Sequence, residues 1–141
     1  MSSDLETIAS FLDKHHVLSL ATLDGDEPSV CTLFYSYSNE HLTFIVASSD
    51  DTQHIKNIKQ NNNIAGSVVL ETKIVGKIQG VQFRGEFLEL NDSGLIKSYF
   101  KQFPYALALK PKLWQIKVNY FKMTNNKLGF GKKIIWEDSS H

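Results

Sequence analysis

The 141-residue chain has a single cysteine, Cys31, which excludes an intrachain disulfide and leaves folding to the apolar core. Its longest apolar runs, such as Ala106-Leu107-Ala108-Leu109, are far too short to cross a bilayer, and no apolar segment follows a basic amino terminus. No membrane partner is therefore expected, and nothing suggests secretion, so the expected compartment is the cytoplasm. There is no C-x-x-C pair, and His15, His16, His41, His54 and His141 do not fall at paired ligand spacings beside a carboxylate, so no metal is expected. Fifteen basic and fifteen acidic residues cancel, which removes the simplest electrostatic case for a nucleic-acid partner. Three prolines against 42% hydrophobic residues exclude disorder as the dominant state.

The zero net charge hides an asymmetry. Residues 1–95 hold 13 acids and 6 bases, whereas residues 96–141 hold 2 acids and 9 lysines. The basic end either faces an anionic ligand or pairs with the acidic part in the fold.

Ser3-Asp4-Leu5-Glu6 fits a capping box with Ser3 as N-cap, and the apolar spacing predicts an amphipathic helix over 4–14. Residues 17–23 read as a strand, Asp24-Gly25-Asp26-Glu27 as a turn, residues 30–37 as a second strand and 41–47 as a third. Ser48-Ser49-Asp50-Asp51-Thr52 is rich in N-cap candidates ahead of a helix that carries Ile55 and Ile58. Residues 64–71 form a fourth strand, and 75–90 a long strand or hairpin interrupted by glycines. Asp92-Ser93 opens a helix that Pro104 breaks, residues 114–123 alternate as a strand, and 128–136 return. Strands arriving as hairpins favour a mainly β, antiparallel sheet or barrel with short helices in one domain over residues 1–141.

No acid, base or nucleophile constellation stands out. Cys31 lies mid-strand with nothing nearby to activate it. Gly129-Phe130-Gly131-Lys132-Lys133 fails the phosphate-loop spacing, and no helix follows it. The informative stretch is 41–58, where a strand gives way to a helix start with free N–H groups, the hydroxyls of Ser48, Ser49 and Thr52, and the imidazole of His54. It reads either as a phosphate site or as a plainly capped helix, since Asp50 and Asp51 are ordinary capping residues.

The order of segments resembles the FMN-binding split-barrel family, the pyridoxamine-phosphate-oxidase-like proteins. The resemblance rests on Ala21-Thr22-Leu23-Asp24-Gly25-Asp26-Glu27-Pro28, Val30-Cys31-Thr32-Leu33-Phe34-Tyr35, residues 42–47 and Thr52-Gln53-His54-Ile55-Lys56-Asn57-Ile58. Two later motifs, Ile78-Gln79-Gly80-Val81-Gln82-Phe83-Arg84-Gly85-Glu86 and Leu128-Gly129-Phe130-Gly131-Lys132-Lys133-Ile134-Ile135-Trp136, are similar to the YhbP-like branch. The resemblance spans roughly residues 5–137.

It implies a six-stranded antiparallel split barrel of the FMN-binding type, a homodimer, and FMN held in clefts between subunits. The flavin ring would lie along Val30, Cys31, Thr32 and Leu33, with Val46, Ala47 and Ser48 at the end of the next strand. Ser49, Thr52, Gln53 and His54 would meet the phosphate, Gln82 the ring, and Lys132 the partner subunit's FMN, with Lys127 and Lys133 beside it. The family's usual cations at the Gln53 and His54 positions are replaced by a neutral and a titrating side chain. The stretch 127–132 lacks the histidine and arginines of enzymes that make pyridoxal phosphate, so that activity is not expected. Trp114 and Trp136 either flank the cleft or fill the core. The resemblance implies a flavin-dependent oxidoreductase, with no catalytic side chain of its own, or else a non-catalytic flavin- or haem-binding module.

Overall fold

A glycine sets the first hairpin. The computed structural model of the chain describes residues 3–126 and 132–139, and Gly25 takes φ +61°, a turn conformation that strains an L side chain. The turn joins β1 (Val17–Asp24) to β2 (Glu27–Phe34) in antiparallel register from Val17↔Phe34 to Asp24↔Glu27. Pro28 is tolerated there because β2 carries a ladder on one edge alone.

The second strand does not run unbroken to residue 37 as expected. Tyr35 leaves the ladder: its N–H donates to the His16 carbonyl (2.9 Å) and its O–H to the Leu12 carbonyl (2.6 Å). The chain resumes as β3 (Ser36–Ser38), which pairs with β4 (Thr43–Ala47) instead of β1. With β5 (Asn63–Val69), β6 (Gln79–Glu89) and β7 (Leu113–Asn125), the strand order is β2-β1-β5-β6-β7-β4-β3. The two ends of that order, β2 and β3, are consecutive in sequence. The sheet therefore curls into a barrel whose seam is the chain itself at Tyr35 and not a ladder. β8 (Lys133–Glu137) pairs with residues 120–124 of β7, on the edge whose other half takes β4. Among the described residues there are eight strands where six were implied, because Tyr35 divides one of them and β8 is added beside β4. Residues 127–131, including Lys127 and most of the glycine-rich motif, lie outside the described residues.

The helices close the barrel. α1 (Ser3–Asp13) begins at Ser3 itself, not after it, and turns Leu5, Ile8, Phe11 and Leu12 into the core. α2 (Gln53–Gln60) packs on β1 and β2 through Ile55 and Ile58. The Asp92 carboxylate caps α3 (Ser93–Gln102) by accepting from the N–H groups of Gly94 (2.8 Å) and Leu95 (3.1 Å). Leu95 and Tyr99 of this helix cover Ile45, on the outer face of β4. β4 is thus buried on both faces, which is why its sequence is a continuous apolar run and not an alternating one. The expected strand or hairpin over 75–90 is a 3₁₀ turn (Val75–Lys77) followed by β6, and a second 3₁₀ segment (Pro104–Leu109) follows α3.

β6 alternates cleanly, with Val81, Phe83, Gly85 and Phe87 inward and Gln82, Arg84 and Glu86 outward. Its register against β7 slips after Arg84: Tyr120 faces Arg84 and Val118 faces Gly85, leaving Asn119 as a bulge. A Cβ on Gly85 would lie 2.2 Å from the Lys117 carbonyl oxygen, so the strands can approach this closely only at glycine. Trp114 (2% exposed) belongs to the core, and the partly buried Trp136 packs against it at Phe121. Among the described residues no helix is long and apolar enough to cross a membrane.

Candidate functional site

The seam that Tyr35 leaves between β2 and β4 is where the polar residues of 48–54 collect. Ala47 ends β4, the chain turns through Ser48-Ser49-Asp50-Asp51-Thr52, and α2 begins at Gln53. Leu33, Ala47, Ser48, Ser49, Thr52, His54, Pro111 and Lys112 line a depression of about 350 Å³ there. Ser48 is held firmly: its N–H donates to the Lys112 carbonyl (3.1 Å), and the Trp114 indole N–H donates to its own carbonyl (2.9 Å). Its hydroxyl lies 2.7 Å from His54 Nε2, with the donor set by the imidazole tautomer. Burial lowers the His54 pKa below its ordinary 6.5, because desolvation disfavours the imidazolium.

Neither aspartate caps α2. Thr52 is the N-cap residue but makes no side-chain cap: its hydroxyl donates to the Ser49 carbonyl (2.9 Å). Asp50 pairs with Lys112 (3.2 Å) and Lys59 (3.4 Å), which hold its carboxyl below the usual carboxylate range. The charge of Asp50 is thereby compensated while Asp51 makes no ion pair among the described residues, and the N-cap residue of α2 makes no side-chain cap. An uncapped helix start ringed by hydroxyls and an imidazole fits a phosphate monoester.

Of the residues singled out in the sequence, Leu33, Ala47, Ser48, Ser49, Thr52 and His54 are brought together at this seam. Val30 and Gln82 line a second depression, of about 530 Å³, on the outward face of the sheet. Thr32 is exposed on the same side of β2 as Val30. The others are placed differently. Val46 is fully buried in the core, and Cys31 is half-buried against it, its thiol pushed up by burial. The Gln53 amide donates to Asn57 Oδ1 (2.8 Å) and so serves the helix. Lys132 is exposed just ahead of β8, where its carbonyl accepts from the Asn125 N–H (3.1 Å), and it lines neither depression.

Sequence reasoning passed over Lys112, which reaches Asp50 across 62 positions and stacks its ammonium 4.5 Å from the Trp114 ring centroid. It also passed over the outward cluster of Arg84, Tyr120 and Lys122. The strict alternation of β6 and the rarity of arginine were available signals for the second.

A curled antiparallel sheet closed at one seam, with a helix start opening onto that seam, is the split-barrel, pyridoxamine-phosphate-oxidase-like fold. The same fold occurs in a haem-binding protein from Mycobacterium smegmatis (TM-score 0.80, 14% identity, covering 97% of this chain and 59% of that one). It occurs also in an FAD-binding protein from Mesorhizobium loti (TM-score 0.72, 16% identity, 87% and 92% covered). A candidate pyridoxamine 5'-phosphate oxidase from Listeria innocua shares it too (TM-score 0.67, 13% identity, 83% and 94% covered). No family model matches the sequence. Curated relatives do: the UPF0306 protein YhbP of Salmonella arizonae is 36% identical over 140 residues, covering 96% of this chain and 95% of that protein. The UPF0306 protein plu4501 of Photorhabdus laumondii is 32% identical over 139 residues, covering 96% and 97%. The chain belongs to the UPF0306 family.

Proposed function

We propose that the chain binds FMN in a cleft completed by a second copy of itself and acts as a flavin-dependent oxidoreductase. The observation that carries the reading is the uncapped start of α2 at the seam, where Ser48, Ser49, Thr52 and His54 surround a depression. The partial positive charge of the helix start attracts a phosphate, and the Ser49 hydroxyl, unlike those of Ser48 and Thr52, is not already engaged among the described residues and adds a donor. When bound, the isoalloxazine supplies the hydride and electron chemistry. The chain's own part is to seat the phosphate, offer the outward face of β1, β2, β5 and β6 to the ring, and exclude water with the second copy.

The dimer reading rests on that outward face. Phe34 (60% exposed) lies opposite Val17 in the ladder, Val30 (71% exposed) opposite Ala21, and Ala21 opposite Ala65. These apolar pairs flank the polar pair Ser19 and Thr32 on one face, and large exposed apolar side chains of this kind suit burial against a second copy. Haem is the second reading, supported by the haem-binding relative of the fold. It is weaker here because His54 Nε2 is already engaged by Ser48 and no histidine lines the outward depression.

Titration of purified protein with FMN, riboflavin and haemin, with the mass followed by light scattering, tests the proposal. FMN should bind a dimer about tenfold or more tighter than riboflavin, the worth of a charge-assisted phosphate contact. NADH or NADPH should then bleach the bound flavin under anaerobic conditions. Equal affinity for FMN and riboflavin, or none for either, overturns the phosphate site. A bound flavin that no donor reduces overturns the oxidoreductase reading and leaves a binding module.

A further inference from the structure

We infer that the outward face of β6 and β7 carries a second subsite, built on Arg84, Tyr120 and Lys122, for the anionic group of a flat, ring-bearing ligand. Arg84 is the sole arginine of the chain. Its guanidinium carbon sits 3.9 Å from the centroid of the Tyr120 ring, a cation–π stack across the β6–β7 ladder. Stacking uses the face of a guanidinium and leaves the N–H donors at its rim, in the fork that matches a carboxylate or phosphate. Among the described residues none accepts those donors, and no carboxylate lies within ion-pair distance of Arg84.

Lys122 stands on the same face, two positions from Tyr120 and directly opposite Gln82. Arg84 and Lys122 are therefore diagonal neighbours on one face of the ladder, within reach of one another for two long side chains. Neither carries an ion pair among the described residues. Both line the outward depression, whose other polar lining is the hydroxyls of Ser19 and Ser67 and the Gln82 amide, with no acidic side chain. Two acids stand beyond it: Glu86, on the same face of β6 two positions from Arg84, and Glu137, opposite Tyr120 in the β7–β8 ladder, which together with Arg84 and Tyr120 lines a separate depression.

The backbone fixes this arrangement. The Asn119 bulge and the close approach at Gly85 fall immediately beside Arg84 and Tyr120. Bulges of this kind re-aim side chains, and they recur beside active sites. Two uncompensated cations, an aromatic platform and a locked ladder together describe recognition of charge joined to a planar ring. The inference deepens the flavin reading and rests on it for the ligand's role as substrate; the subsite itself needs only this chain's residues.

As the sole arginine, Arg84 gives one side-chain Nε–H resonance, assigned without mutagenesis in ¹⁵N-labelled protein. Three probes differ only in the group on the ring: benzoate, phenyl phosphate and benzamide. An anionic probe should shift the Arg84 resonance saturably, with benzamide at least about tenfold weaker, as expected when a charge-assisted contact is lost. Whichever anion binds tighter identifies the ligand as a carboxylate or a phosphate. Lys122→Met should weaken the anion about threefold or more and leave benzamide unchanged. Benzamide shifting Arg84 as strongly as the anions, or no probe shifting it, overturns the inference. The titrations are run with and without FMN. Anion selectivity in protein that ignores FMN refutes the flavin reading alone, whereas protein that binds FMN tighter than riboflavin yet, before FMN is added, is blind to all three probes refutes this subsite alone.

Discussion

Helix α2 is seated on the barrel by a buried amide, and removing that amide gives the sharpest test of how the seam is built. Asn57 is 2% exposed and Thr22 of β1 is 3% exposed. Asn57 Nδ2 donates to the Thr22 hydroxyl (3.0 Å), while its Oδ1 accepts from Gln53 (2.8 Å). Asn57→Leu keeps the volume but strands a buried hydroxyl, which costs about 1–3 kcal/mol. Thr22→Val strands the amide at a similar cost. The double variant replaces both partners with apolar groups, so its loss should fall short of the summed single losses by about 1–2 kcal/mol. Urea unfolding followed by tryptophan fluorescence, at one fixed protein concentration, reads this directly. With a slope of about 2 kcal/mol/M, a 2 kcal/mol loss lowers the midpoint by about 1 M. Both single variants should also weaken FMN binding, because α2 carries His54 and the uncapped helix start. Strictly additive losses, or a loss below about 0.5 kcal/mol in Asn57→Leu, would refute the claim that this bond seats the helix.

Four other outcomes are expected. Gly85→Ala forces a Cβ to 2.2 Å from the Lys117 carbonyl oxygen; overpacking of that kind costs about 1–3 kcal/mol, and an unchanged melting temperature would contradict the geometry. Because burial holds the folded-state pKa of His54 below 6.5, the unfolded chain takes up its proton more readily. Stability should therefore be complete above roughly pH 6.5 and fall as the pH drops through the folded pKa. His15 shifts in the same direction, so His54→Gln should reduce the decline without abolishing it, and an identical decline in the variant would exclude His54 as a source. A bound phosphate favours the imidazolium, so FMN affinity should weaken with rising pH by up to about tenfold per unit, and His54→Lys should flatten that dependence; a flat profile in the unaltered protein removes His54 from the site. Cys31, half-buried with its thiol pushed up by burial, should react with Ellman's reagent more slowly than a free thiol, and rapid labelling would show an activated cysteine instead.

Local chemistry made the first hairpin, α2 and α3 legible in the sequence. Asp24-Gly25 demands a tight turn, Asp92 is a strong N-cap, and Ile55 with Ile58 defines one helical face. The resemblance to the split-barrel family supplied what periodicity lacked, and it brought six of the named residues to one seam. What escaped depends on partners far along the chain. Tyr35 looks like any strand aromatic until Leu12 and His16 accept its two donors. Thr52 and the two aspartates read alike as caps, yet Lys112 and Lys59 draw Asp50 away and leave the helix start open. Arg84 meets Tyr120 in the register that runs from Gln79↔Asn125, which strand periodicity alone does not set, and the slip follows at Gly85. Val46 reads as a site residue in the segment order, yet it faces the barrel interior beside Phe44, while α3 covers Ile45 on the opposite face of β4.

The strand order also dictates when the barrel can exist. The hairpins β1/β2 and β3/β4 adjoin in sequence, yet β5, β6 and β7 must lie between β1 and β4 on the sheet. On the ribosome both hairpins emerge long before the strands that separate them. From the end of β4 at Ala47 to the end of β7 at Asn125 there are 78 residues (125 − 47), which is about 4–16 s at ordinary translation rates. Throughout that interval the nascent chain offers unpaired strand edges, and no amino-terminal fragment can close a ladder ring of its own. β7 pairs with both β4 and β6, so neither ladder can form before it arrives and the sheet is completed late in synthesis.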